Sequence, residues 1–129
     1  MPSSAVRTFA DPVDYAAAIR GGQSELTVTG RGRFAAKLTG IVLHRLWVQR
    51  FTSNLPWIGQ TGLRMGRAFF SFRAQQGPSL FSDGVETRPG DVMRHNEGRS
   101  YYIRSSGLAC TNFMSVPVEE IVRVGAAMA

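Results

Sequence analysis

The residues that could do chemistry are few. Two histidines, His44 and His95, and one cysteine, Cys110, stand beside nine carboxylates in a chain of 129 residues. A metal site in a small β-rich domain needs three or four His, Cys or carboxylate ligands converging on one point, commonly with two of them close together on one strand. His44 and His95 fall in different candidate strands, so Glu86, Asp91 or Glu97 would have to complete the set. A half-buried histidine hydrogen-bonded to backbone is the better reading of each. Cys110 lies in an apolar candidate strand, the setting of an inert core thiol rather than an activated nucleophile. There is no Gly-x-Ser-x-Gly elbow, Gly77-Pro78-Ser79 reads as a turn, and the glycines at 30 and 32 precede a strand rather than a phosphate-cradling helix. The expectation is a domain without catalytic residues, metal or cofactor.

The formal charge is +6, and all but one of the 15 basic residues are arginine, whose planar fork suits phosphate and carboxylate. They are scattered from Arg7 to Arg123 with no run longer than Arg31-Gly32-Arg33, so the reading is a solvated surface rather than a phosphate-tracking stripe. Gly66-Arg67-Ala68-Phe69-Phe70-Ser71-Phe72-Arg73 interleaves arginine with aromatics as RNA-stacking strands do. Ala68 and Ser71 stand at the wrong positions for that motif, and its helices are missing.

The elements that must position these residues are mostly strands. Asp11-Pro12-Val13-Asp14 predicts a helix start, with Asp11 capping, and Gly21-Gly22 its end after about ten residues. From Glu25 to Ser115 short runs rich in Val, Ile, Thr and aromatics alternate with Gly, Pro, Asn and Asp. The predicted strands are Glu25–Thr29, Phe34–Leu38, Ile41–Phe51, Arg67–Arg73, Leu80–Ser82, Val85–Thr87, Asp91–Arg94, Ser100–Arg104 and Ala109–Ser115. Asp83-Gly84 predicts a type I′ hairpin between two of them. Within Arg67–Arg73, alternation places Ala68, Phe70 and Phe72 on the buried face and Arg67, Ser71 and Arg73 on the other, with Phe69 out of pattern. After Pro117 a second helix carries Val118, Ile121 and Val122 at the spacing of one apolar stripe. It runs to Ala129 without a stop signal, as in a chain cut there or a longer parent that continues.

A chain of 14.1 kDa with 43% hydrophobic and 19% charged residues fits one domain with one core. No apolar run reaches the ~20 residues of a membrane helix, the N-terminus lacks a secretory signal, and a single cysteine excludes an internal disulfide. A soluble protein of the cytoplasm is the default. Residues 1–8 are expected to be flexible and 117–129 to form the terminal helix.

Three segments carry a likeness. Phe9-Ala10-Asp11-Pro12-Val13-Asp14-Tyr15-Ala16-Ala17-Ala18-Ile19-Arg20 and the stretch from Phe34 to Gln49 resemble the N-terminal half of AraC-type transcription regulators. Arg88-Pro89-Gly90-Asp91 resembles the Pro-Gly-Asp turn of cupins and of those regulators' sensor domains. The likeness runs from about Phe9 to Val124. It implies a mainly β, cupin-like double-stranded antiparallel sandwich or barrel, a jelly roll, with a short N-terminal helix and a C-terminal helix. Metal-binding cupins carry a His-x-His pair and, after the turn, a Pro-x-Gly-x-x-His. Here the pair is missing, Asn96 replaces the proline, and Tyr101 stands where the ligand histidine would be.

What the resemblance implies is an effector-sensing and dimerisation domain of a bacterial regulator. Its partners would be a small-molecule effector and a second copy, with DNA bound only through a helix-turn-helix domain outside this chain. Residues with an apolar body and a polar tip, chosen by alternation, are the expected lining: Trp47, Phe70, Phe72, His95, Tyr101 and Asn112. Val118, Ile121 and Val122 are the expected dimer or linker helix face. The alternatives are a stand-alone cupin enzyme, an isomerase or a metal-dependent oxygenase using His44 and His95, and a dimerisation module without ligand.

Overall fold

A computed structural model describes residues 3–73, 80–95, 98–107 and 109–128. The elements run β1 (Ser3–Phe9), α1 (Pro12–Ala18), β2 (Gly22–Val28), β3 (Ala36–Leu43), β4 (Leu46–Ser53), β5 (Trp57–Leu63), β6 (Arg67–Phe72), β7 (Leu80–Ser82), β8 (Val85–Thr87), β9 (Val92–His95), β10 (Ser100–Ser105), β11 (Ala109–Pro117) and α2 (Val118–Met128). Two antiparallel sheets face one another, ordered β1-β3-β4-β11-β6-β9 and β2-β5-β10-β7-β8. They form a sandwich and not a closed barrel.

Helix α1 begins as its sequence dictates. Asp11 has extended backbone, its Oδ1 accepts from the Val13 N–H at 2.8 Å, and Pro12 occupies the first turn. The helix stops at Ala18, earlier than expected, and Gly21 at φ +109° turns the chain into β2. Gln49, 5% exposed on β4, fixes that corner: its Oε1 accepts from the Arg20 N–H at 3.0 Å and its Nε2 donates to the Arg20 carbonyl at 2.9 Å.

The expected Asp-Gly hairpin is present, with Asp83 at φ +49° and Gly84 at +81° and Ser82 opposite Val85. Four other expectations are corrected. The expected strand Ile41–Phe51 is two strands, because His44, at φ +52°, and Arg45 form the turn that pairs Leu43 with Leu46. Ser3–Phe9, where no strand was expected, is edge strand β1, paired along its length with β3. Its side chains up to Thr8 are exposed, so ladder hydrogen bonds rather than burial order it. Strand β5 was not expected at all: Gly59 and Gly62 lower its β propensity, yet it is the second strand of its sheet. A side chain at Gly59 would press on the Glu25 carbonyl at 2.9 Å, so the glycine admits close approach to β2.

The fourth correction concerns β6: Ala68 is buried as expected, but from Phe69 on the phase is the reverse of the expected one. Phe69 is fully buried, and Ser71 and Arg73 share its inward face, whereas Phe70 and Phe72 are half-buried on the outer face. The polar inward residues have partners: Ser71 Oγ lies 2.7 Å from His95 Nε2, and Arg73 donates Nη1 to the Thr87 carbonyl at 3.0 Å, although its buried Nε has no partner among the described residues. Hydrophobicity alone therefore misassigned the face, since buried polar groups are tolerated when hydrogen-bonded. The core has two parts. Tyr15, Phe34, Ala36 and Leu38 pack under α1, and Leu63, Phe69 and Tyr101 pack with Phe113 deeper between the sheets.

Helix α2 follows β11 directly, and its Val118 N–H donates to the Gly66 carbonyl at 3.0 Å. The β3–β4 turn holds its first turn, with Arg45 bridging Glu119 at 2.6 Å and Glu120 at 2.8 Å. Among the described residues no helix is long and apolar enough to cross a membrane.

Candidate functional site

The interior between the sheets holds a cavity of about 100 Å³. Its wall is built from the inward faces of both sheets and the corner after α1. Leu26, Trp57, Thr61, Leu63, Leu80, Tyr101 and Ile103 come from one sheet, Phe51, Ser71, His95, Thr111 and Phe113 from the other, and Tyr15, Arg20 and Gly21 from the corner. The lining is mainly apolar with a few placed polar groups, as small-molecule seats are.

His95 is the most constrained of those groups. It is 4% exposed, meets the Tyr101 ring edge-on at 4.6 Å, and lies 5.9 Å from the Phe113 ring. Burial pushes its pKa below the ordinary 6.5, and the negative charge of Asp83 opposes that weakly. A histidine whose folded-state affinity for a proton is reduced contributes stability that is full above 6.5. As pH falls below 6.5 the unfolded chain takes up the proton first, and that stability is lost toward the lower folded value. Denaturation between pH 7.5 and 5 should therefore show a steeper loss for wild type than for His95→Gln. Parallel curves would contradict this account of the group.

Ser82, 6% exposed, also lines the cavity, and its Oγ has no hydrogen-bond partner among the described residues. Filling the space there removes an unsatisfied hydroxyl without breaking a protein hydrogen bond. Ser82→Val should raise stability by about 0.5–2 kcal/mol, the usual return of cavity filling. A loss of stability in denaturant melts would show that the hydroxyl is doing something the protein atoms do not reveal.

Of the six expected lining residues, the structure places His95 and Tyr101 in the cavity wall. Phe70, Phe72 and Asn112 are on the outer face, where Phe72 lies opposite Asn112 across the β6–β11 ladder. Trp47 lies at the end of the sandwich, with Arg67 at 3.5 Å and Arg20 at 5.1 Å from its ring. Ser71, Ser82 and Phe113 line the cavity without having been expected. The strand phase decided each of these outcomes. Of the helix residues, Val118 and Ile121 are half-buried, Ile121 facing Leu43, Leu46 and Val116, while Val122 is 65% exposed.

The two histidines are not brought together. His44 is exposed in the β3–β4 turn and His95 is buried between the sheets. Of the carboxylates considered with them, Glu97 lies outside the described residues, as does Asn96. Among the described residues no three His, Cys, Asp or Glu side chains cluster to hold a metal ion. Gly77-Pro78-Ser79 also lies outside the described residues.

No protein-family model matches the sequence, and no curated protein does. Among solved structures, the AraC-like transcriptional activator CuxR is similar over 74% of this chain, with a TM-score of 0.58 and 17% identity. The chain spans 39% of the length of that protein. An RmlC-like cupin from Shewanella frigidimarina matches with a TM-score of 0.45 and 13% identity, over 78% of this chain and 89% of that one. A predicted oxalate decarboxylase from Thermotoga maritima matches at 0.46 and 15%, over 72% and 89%. The chain has a fold of two facing antiparallel sheets, and it shares that fold with part of an AraC-like transcriptional activator.

Proposed function

We propose that this chain is the effector-sensing and dimerisation domain of an AraC-type transcription regulator, without catalytic activity of its own. The observation that carries the reading is the likeness to CuxR, which covers most of this chain and 39% of that protein, as a sensor portion would. A second copy as partner, DNA contact through a separate helix-turn-helix domain, and a bacterial cytoplasmic setting belong to the same proposal.

The cavity bears on how sensing would work. At about 100 Å³ it is smaller than the roughly 300–1,000 Å³ of drug-sized ligand pockets. An effector of more than a few non-hydrogen atoms binds only by selecting an arrangement with a wider interior, and it shifts the domain by its differential affinity for that arrangement. Typical coupling of about 1–3 kcal/mol is enough to alter how α2 packs against the β3–β4 turn. The exposed bridges from Arg45 to Glu119 and Glu120 are weak enough to yield to it. Reading the gene beyond Ala129 tests the regulator assignment. An open frame encoding two helix-turn-helix units supports it, and a stop codon there defeats it.

A further inference from the structure

Arginines that are scattered in the sequence meet at one end of the sandwich. Arg67, at the start of β6, donates Nε to Ser115 Oγ at 2.8 Å and Nη2 to the carbonyls of Ser115 at 3.0 Å and Arg45 at 2.6 Å. These bonds hold its guanidinium 3.5 Å from the centre of the Trp47 ring and leave Nη1 without a hydrogen bond among the described residues. Arg20 reaches the same indole from the α1–β2 corner. Arg64 is tied to that corner by its backbone, its N–H donating to the Gly21 carbonyl at 2.9 Å. Arg20 and Arg64 are exposed, and among the described residues neither they nor Arg67 pairs with a carboxylate. Burial first, and then the charges of Arg64 and Arg20, lower the proton affinity of Arg67.

Two uncompensated guanidiniums over one indole, with Arg64 anchored by its backbone at the same corner, concentrate positive potential where an anion can be chelated. Each presents a planar fork that bonds oxyanions at two points. A carboxylate has two oxygens to share among three forks, whereas a terminal phosphate group has three, directed apart. We infer that Arg20, Arg64 and Arg67 around Trp47 form a binding site for the phosphate group of a small molecule. Arg20 also lines the interior cavity, so the phosphate would sit at the rim of that space. This site does not depend on the regulator reading, because it rests on the arginine geometry alone.

The test is calorimetric titration of the whole chain with inorganic phosphate, against sodium chloride at matched ionic strength. The expected result is saturable binding at one site per chain, weakened at least tenfold in the double variant Arg20→Gln/Arg64→Gln. Those side chains are exposed and make no hydrogen bonds among the described residues, and circular dichroism with thermal melts checks that the variant folds. Arg45→Gln, which removes one positive charge from an arginine already paired with Glu119 and Glu120, should leave phosphate affinity within twofold. No saturable heat with phosphate overturns the inference, and so does equal weakening by both substitutions, which would reduce the effect to net charge. A short random-sequence DNA duplex that binds through Arg20 and Arg64, and that phosphate displaces no better than chloride does, also overturns it by making the patch a polyanion surface.

Discussion

Phe69→Ala should cost this domain about 3–5 kcal/mol, the range for deleting a fully buried aromatic ring from a packed core. Phe69 is wholly buried, and its ring lies 5.6 Å from that of Phe113 in the cluster with Leu63 and Tyr101. Single domains hold only about 5–15 kcal/mol in total, so the variant should sit near its unfolding threshold at room temperature. Phe70, the next residue, is half-buried on the outer face, and Phe70→Ala should cost no more than about 1–2 kcal/mol by area. Denaturant melts of the two variants measure the difference. Equal costs, or the larger cost at Phe70, would mean that β6 sits in the opposite phase, and the cavity lining described above would go with it.

Gly21→Val should destabilise by roughly 2–6 kcal/mol, because two penalties fall on one residue. The backbone there is at φ +109°, a region that side-chain-bearing residues avoid and β-branched ones avoid most. A Cβ at this position would also lie 2.6 Å from Phe69 Cε1, far inside contact distance. The ring cannot retreat, since it is enclosed on all sides. The neighbouring Gly22 is constrained in another way, as a Cβ there would collide with the Gly62 carbonyl across the β2–β5 ladder. Both glycines read in the sequence as a helix stop. Their structural role is larger, because they let the α1 corner close over the core. If Gly21→Val melts within 1 kcal/mol of wild type, the corner is not packed as described.

How much of this was legible beforehand follows from which signals are local. The cap at Asp11, the Asp83-Gly84 turn and the abundance of short strands are written in neighbouring residues, and the structure contains them. The likeness carried by residues 9–20, 34–49 and 88–91 pointed to a sandwich of antiparallel sheets, and a solved AraC-like structure shares the fold. What failed depended on partners distant in sequence. Ser71 and Arg73 can face inward only because His95 and Thr87 are there to receive them. Strand β1 is ordered by β3, and β5 tolerates its glycines because β2 and β10 flank it. The candidate site inherited the error in β6: His95 and Tyr101 belong to the wall, while Phe70, Phe72 and Asn112 were placed by an alternation read one residue out of step. The arginine cluster was likewise invisible, since Arg20, Arg64 and Arg67 come together only through the turn after α1 and the β5–β6 turn.

The sensing role stands on the interior being a seat for a small molecule, and thermal-shift titration of wild type beside Ser82→Val tests it most directly. A compound that occupies the cavity should, at a hundredfold its dissociation constant, stabilise the wild-type domain by about 2.7 kcal/mol. The same compound should lose most of that effect in Ser82→Val, where the added methyl groups take its space. Stabilisation that is equal in both proteins would place the ligand elsewhere, and a wild-type domain that no small molecule stabilises would contradict the sensing role itself.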